Sequence, residues 1–327
     1  MIDTLIVGKS NQYGLTRDAA LLGDALAGAG VETKIVAIHD RSLVDWVLRR
    51  RRARRIIHLE RVFPQWTGAA EVNVLVPNQE RFPRRQLYRL RRTDLILAKT
   101  HEGAAAFAGR GVPVEYLGFT SEDRFNPQVA KDWGRVLHLA GGSTLKGTED
   151  VLALWERHPE WPELVLVQKE QNAPSKVPAN VRLITGYTGD EELKRLQNEC
   201  GIHLCPSRSE GWGHNLVEGM SCGAVVIATD APPMNEHIRA EHGLLVETRH
   251  SKPRHMGICH FVDGQALEAV VGAAIAMPAP LKAQMGEMAR RRFLEIDREF
   301  RQRVRCLLAG NQEDRAAHAM PFERSLP

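Results

Sequence analysis

Two carboxylates separated by seven residues, Glu210 and Glu218, stand in the stretch CPSRSEGWGHNLVEGMSCG at residues 205–223. A short apolar run at residues 201–204 leads into it. Gly211 and Gly213 follow, and helical spacing resumes over residues 215–222. This order predicts a strand, a loop and a helix, with Glu210 at the strand end and Glu218 inside the helix. A helix N-terminus beside a glycine-rich loop offers free backbone N–H groups, which suit a phosphate. The flanking carboxylates cannot themselves take the phosphate; they suit hydroxyls, as on a sugar or a ribose. Phosphate donors combined with hydroxyl acceptors describe a sugar nucleotide.

The elements that must position this site recur along the chain. Apolar, β-branched runs fall at residues 4–8, 34–38, 55–59, 72–76, 95–98 and 114–117. A second set falls at 135–140, 164–167, 181–185, 202–204, 224–229 and 244–246. Most are continuous rather than alternating, so they read as strands buried on both faces. Helical spacing lies between them at residues 16–29, 42–52, 148–157, 190–199 and 215–222, and again over 281–308 as one or two helices. Strands alternating with helices mean parallel sheets covered on both sides. The expected fold class is therefore α/β, with two doubly wound, Rossmann-like domains whose strand ends face a common cleft. The expected units are residues 1–122 and 123–289, with the boundary in the turn-rich stretch 118–133 and a tail at 310–327 expected to be disordered.

With these elements in place, residues 205–223 resemble the Glu-x7-Glu signature of retaining glycosyltransferases with the two-domain GT-B fold. Other segments resemble the same nucleotide-sugar-dependent class in the same order. They are Leu145-Lys146-Gly147, Thr185-Gly186-Tyr187, Glu191-Glu192-Leu193, residues 94–99, Leu117-Gly118-Phe119, Phe125-Asn126-Pro127, and residues 224–230 followed by Glu236. The resemblance implies a metal-independent hexosyl transfer from a nucleoside-diphosphate sugar to a hydroxyl acceptor, such as a surface glycan or glycolipid. It also implies that the helix at residues 290–308 packs back on the first domain. It gives Glu210 the donor-sugar hydroxyls, Glu218 the ribose and Lys146 the phosphates. The backbone of Gly211, Trp212, Gly213, His214, Asn215 and Leu216 would cradle sugar and diphosphate, and Tyr187 would lie beside the base. No cofactor or metal is implied. The base stays open, with UDP the favoured choice.

The chain departs from that pattern in two places. The arginine that usually precedes the Lys-Gly pair is missing from Ala140-Gly141-Gly142-Ser143-Thr144-Leu145, and Arg208 is the candidate substitute. A histidine usual after the fourth strand is replaced by Asn78, Gln79 and Glu80. These three, with His101 and Gly14, are the acceptor-side candidates. Trp212, between two glycines, is expected to pack while its backbone binds.

Composition bounds the alternatives. The chain has 327 residues, 43% hydrophobic and 26% charged, which is ordinary for a soluble globular protein. Its five cysteines, Cys200, Cys205, Cys222, Cys259 and Cys306, form no metal-ligand spacing and read as reduced thiols. Asp3 precedes the first apolar run, so no signal peptide is expected, and the reading is cytoplasmic. Net charge is +4, but residues 1–122 hold 19 Lys/Arg against 13 Asp/Glu. The run Arg49, Arg50, Arg51, Arg52, Arg54 and Arg55, and the six arginines from Arg81 to Arg92, suit an anionic partner. An anionic membrane surface is the first such partner; a nucleic-acid backbone, as for DNA-modifying glycosyltransferases, is the second. Two further readings stand beside sugar transfer: a nucleotide-sugar epimerase of the same fold, and a protein that binds a nucleotide sugar or glycan without turnover.

Overall fold

A computed structural model describes residues 2–8, 14–186 and 188–310. Tyr187 and residues 311–327, with most of the tail, lie outside the described residues, as do the side chains at positions 14 and 15.

The first sheet is built from β1 (Ile2–Gly8), β2 (Thr33–Ala37), β3 (Ala53–Glu60), β4 (Val72–Pro77), β5 (Leu95–Ala98) and β6 (Val114–Tyr116). All pair in parallel, in the order β2-β1-β3-β4-β5-β6. Between them run α1 (Gly14–Gly28), the short α2 (Leu43–Val47) and α3 (His101–Phe107). The second sheet contains β7 (Asp132–Gly141), β8 (Leu164–Gln168), β9 (Val181–Ile184), β10 (Cys200–Cys205), β11 (Val225–Thr229) and β12 (Leu244–Val246). It too is parallel throughout, in the order β12-β11-β10-β7-β8-β9. Its helices are α4 (Thr148–Arg157), α5 (Asp190–Glu199), α6 (His214–Ser221) and α7 (Met234–His237). Each sheet reverses strand order beside its first strand, so each is doubly wound.

The continuous apolar runs form strands because both faces are covered. All of β8, β10 and β11 is buried, as is β4 beyond Val72. Three of the buried polar strand residues are histidines, and burial keeps them neutral. The imidazoles of His58 and His138 are lowered to about 4 by desolvation, and that of His203 to about 3. His138 bridges Leu204 O at 2.7 Å and Thr148 Oγ1 at 3.0 Å, tying β7 to β10 and to α4.

After β12 the chain makes an antiparallel hairpin, β13 (Thr248–Arg254) and β14 (Gly257–Val262), then α8 (Gly264–Ala276) and α9 (Ala279–Val304), which ends in a π turn at Arg305–Ala309. α9 is one continuous helix. Its buried face, Ala289, Phe293, Ile296, Phe300 and Val304, shares a core with Leu216, Val217 and Met220 of α6 and with Leu22 and Leu26 of α1. Arg303 Nε donates to Leu117 O at 2.7 Å, and Arg55 Nη1 donates to Leu308 O at 2.6 Å. One helix thus packs on both sheets' helices. No single described helix is long and apolar enough to cross a membrane.

One expected helix is much shorter than its periodicity. Residues 42–52 give only Leu43–Val47. The arginines that follow fold back: Arg50 and Arg52 both reach the Asp45 carboxylate, and Arg49 takes a positive φ of 49°. Four cysteines are buried, Cys306 is partly exposed and all five are free thiols.

Candidate functional site

α6 starts at the C-terminal end of β10, where the glycine-rich loop turns. Gly213 is its N-cap with φ of +100° and offers no side chain, so the first-turn N–H groups carry no side-chain cap. Opposite, Gly147 caps α4 with φ of +70°, and a Cβ there would stand 2.5 Å from Pro206 O. Only glycine fits so close to the β10 loop in that conformation. This places Lys146 directly over the α6 N-terminus. Its Nζ donates to Glu210 Oε1 at 2.5 Å and to Asn215 Oδ1 at 2.7 Å. Lys146 and Glu210 side chains are each 14% exposed, so the pair is shielded but reachable.

Glu218, one turn further along α6, is 1% exposed with both oxygens engaged. Gln197 Nε2 donates to Oε2 at 2.8 Å, and Arg17 Nη1, from α1 on the facing unit, donates to Oε1 at 2.7 Å. Arg17 also stands 3.7 Å from Asp190.

A second network crosses the cleft above it. Lys99, at the end of β5, is 3% exposed and donates to Asp18 Oδ2 at 2.5 Å and to Asn78 Oδ1 at 2.9 Å. His214 Nε2 is 2.9 Å from Asp18 Oδ1, and its Nδ1 is 2.8 Å from Ser121 Oγ. Burial alone would raise the Asp18 carboxyl, but Lys99 and His214 pull it down to about 2. Asp18 is thus an anion that ties the first residue of α6 to the opposite sheet.

The acceptor-side candidates divide. Asn78 and Gln79 lie against the donor loop: Gln79 Nε2 donates to Glu210 O at 3.0 Å and to Glu102 Oε2 at 3.0 Å, and a Cβ on Gly211 would stand 2.6 Å from Asn78 Cγ. Glu80 is 6% exposed; burial, with the Glu210 charge added, raises its carboxyl to about 7. The hairpin turn packs on this segment, with Met256 N donating to Gln79 O at 3.1 Å. His101 is exposed and stacks on Tyr116 at 4.1 Å, while its N–H donates to Glu236 Oε2 at 2.7 Å. Its ring joins none of these networks. Gly14 begins α1.

Arg208 turns away from Lys146. Its guanidinium reaches Asp150 at 3.0 Å and Glu149 at 3.1 Å on α4 and lies over the Phe261 ring. Trp212 is 4% exposed, packs edge-on to Phe119 and donates from Nε1 to Ser121 Oγ at 3.2 Å. Its carbonyl accepts from His237 at 2.7 Å. Leu216 is fully buried beneath the loop. Sequence reasoning missed Arg17, Asp18, Lys99 and Gln197. Lys99 had one signal, a lysine directly after an apolar strand; the other three sit on helices and are placed only by the tertiary fold. Among the described residues no group of three or more His, Cys, Asp or Glu side chains is placed to hold a metal ion.

Parts of this chain are similar to known proteins. Residues 168–269, from the end of β8 into α8, match the family model for glycosyl transferases group 1. An uncharacterized glycosyltransferase of Methanocaldococcus jannaschii is 31% identical over 90 residues. That match spans 27% of this chain and only 26% of the relative's length. Solved structures resemble nearly the whole chain at low identity. A glycosyltransferase from Rickettsia africae has a TM-score of 0.70 at 12% identity, over 93% of this chain and 97% of that one. HepE of Anabaena, solved with UDP and glucose, has a TM-score of 0.70 at 14% identity, over 95% of this chain and 100% of that one. Sucrose-phosphate synthase from Thermosynechococcus elongatus has the same score and coverage at 15% identity. The chain thus has the two-domain GT-B fold, and residues 168–269 of its second half are a match to glycosyl transferases group 1.

Proposed function

We propose that this protein is a glycosyltransferase that moves a sugar, with retention of configuration, from a nucleoside-diphosphate sugar to a hydroxyl acceptor. The observation that carries the reading is the meeting of Lys146, Glu210 and Asn215 over the uncapped start of α6. A diphosphate there takes Lys146 and the helix N–H groups as donors and frees Glu210 to accept from sugar hydroxyls. The match at residues 168–269 covers the loop and α6.

In this reading the bond from the sugar's anomeric carbon to the diphosphate oxygen breaks as the acceptor oxygen bonds the same face. The acceptor's proton passes to the departing phosphate oxygen, so no separate protein base is required. Lys146 and the α6 N-terminus stabilise the charge that develops on the diphosphate, an effect typically worth about 3 kcal/mol per donor. Arg208 is committed to α4, so Lys146 carries the side-chain share alone. Asn78, Gln79 and Glu80 line the facing side, against the Glu210 loop, and form the acceptor side.

The test is release of free nucleotide from a panel of nucleoside-diphosphate sugars, with and without glycan and glycolipid acceptors, and the anomer of the product read by NMR. Acceptor-dependent release with the α or β configuration kept supports the reading. Conversion of the donor to its epimer without acceptor, or binding without release, would replace it with the epimerase or the binding-protein reading.

A further inference from the structure

α2 is inside out. Its buried residue is Asp45, while Leu43 is 73% exposed, Val44 60%, Trp46 46%, Val47 70% and the following Leu48 57%. The inversion has a clear cause. The helix is capped by Ser42, whose Oγ accepts from Asp45 N at 3.1 Å. Arg50 and Arg52 close on the Asp45 carboxylate, and the buried Arg41 donates to Asp45 O at 3.0 Å. The polar grip faces inward, so every large apolar side chain of the turn faces water. Five adjacent exposed apolar side chains form a patch rather than scattered surface residues.

Arginines surround that patch. Arg49, Arg50, Arg51, Arg52 and Arg54 are all exposed, against Asp45, Glu71 and Asp3 as their acidic partners. Arg51 pairs with Glu71 at 2.6 Å and Arg54 reaches Asp3 only at 4.0 Å, so positive charge remains in excess.

We infer that Leu43–Leu48 and the arginines after it dock this protein on an anionic lipid surface, with Leu43, Val44, Trp46, Val47 and Leu48 entering the headgroup–acyl boundary. Charge complementarity selects this occupant. A second copy of the chain would bring two arginine clusters together around the joined apolar patches. A nucleic-acid backbone would satisfy the arginines and leave five apolar side chains in water. An anionic membrane takes both, with the tryptophan at the depth where amphipathic rings settle. The inference does not rest on the sugar-transfer reading, and its test uses no donor.

The full chain is floated with vesicles of phosphatidylcholine alone and of phosphatidylcholine with phosphatidylglycerol. Flotation is expected with the anionic vesicles only. It is expected to be lost in the double variant Leu43→Ser, Val47→Ser and retained in Leu281→Ser, which alters a half-exposed leucine on α9. Each of Arg49→Gln and Arg54→Gln should weaken vesicle affinity about fivefold. Because all these side chains are exposed, the variants keep the native melting temperature, which is measured alongside. Three results would overturn the inference. One is no flotation with anionic vesicles; another is flotation unchanged in the double serine variant. The third is a lipid-free dimer, read by light scattering, that the double serine variant abolishes.

Discussion

Glu80 offers a quantitative test of how the cleft is packed. Its side chain is buried, the hairpin's Gly257 sits against its backbone, and Oε2 has no hydrogen-bond partner among the described residues. Burial, then the Glu210 charge, raises the carboxyl from 4.5 to about 7. The sign follows from the raised value. Below pH 4.5 the group is neutral in both folded and unfolded chains. Between pH 4.5 and 7 the unfolded chain ionises first, so stability falls as pH rises, and above 7 the loss is constant. The gap corresponds to about 3 kcal/mol. Glu80→Gln removes the titration while keeping shape and hydrogen-bonding capacity. Relative to the native protein, the variant should gain about 3 kcal/mol between pH 5 and pH 8, which is about 4 °C in melting temperature for a chain of this size. Thermal melts of both proteins across that range give the difference curve directly. A difference that stays flat from pH 5 to pH 8 would refute the burial of an ionisable carboxyl at this point.

Other consequences follow from the same geometry. Asp18→Asn leaves Lys99 buried without its counter-charge and should cost about 3–5 kcal/mol at pH 7, measured by denaturant unfolding. Because Asp18 is lowered from 3.8 to about 2, the ion pair's stabilisation is fully present above the ordinary carboxyl value and is lost as pH falls from 3.8 to about 2. Gly211→Ala puts a methyl against the Asn78 side chain and should weaken nucleotide-sugar binding while Gly211→Ala with Asn78→Gly restores it, read by calorimetry. Burial pushes the thiols of Cys200, Cys205 and Cys222 up to about 12, so a thiol reagent at pH 8 should label Cys306 in the native state and spare these three. Labelling of any of the three before unfolding would contradict the packing.

Much of this architecture was legible because its strands carry the strongest sequence signal. All twelve apolar runs form strands, each within a few residues of its run, since a strand covered on both faces must be apolar throughout. The hairpin was not legible: β13 reads TRHSKPR, mostly exposed and polar, with no apolar run or alternation to mark it. α3 reads HEGAAAF, too short and too weakly patterned for periodicity to find. The length of α2 was misread because arginines continue a helical count, whereas the structure spends two of them on Asp45.

The site was legible where it is local. Gly211, Gly213, Glu210 and Asn215 lie within one loop and helix start, and spacing alone gathers them. Arg17 meets Glu218 across 201 residues of chain, and the Asp18–Lys99 pair spans 81. Neither contact has a sequence signature: Arg17–Glu218 depends on how the two sheets' units face one another, and Asp18–Lys99 on how α1 packs beside the end of β5 within the first unit. Arg208 was the candidate substitute for the missing arginine, and its backbone N–H does donate to Leu145 O beside Lys146. The side chain goes to Glu149 and Asp150, two carboxylates at the start of α4.

The central claim is that Lys146, Glu210 and the α6 N-terminus form a diphosphate-sugar site, and calorimetric titration with UDP, GDP, ADP, TDP and CMP tests it most directly. A nucleoside diphosphate is expected to bind the native protein, and Lys146→Met to weaken that binding by about 100-fold, the worth of one strong phosphate donor. Glu210→Gln should leave nucleotide affinity within a few-fold and weaken only the nucleotide sugar. No binding by any nucleotide, or equal affinity in Lys146→Met, would contradict it.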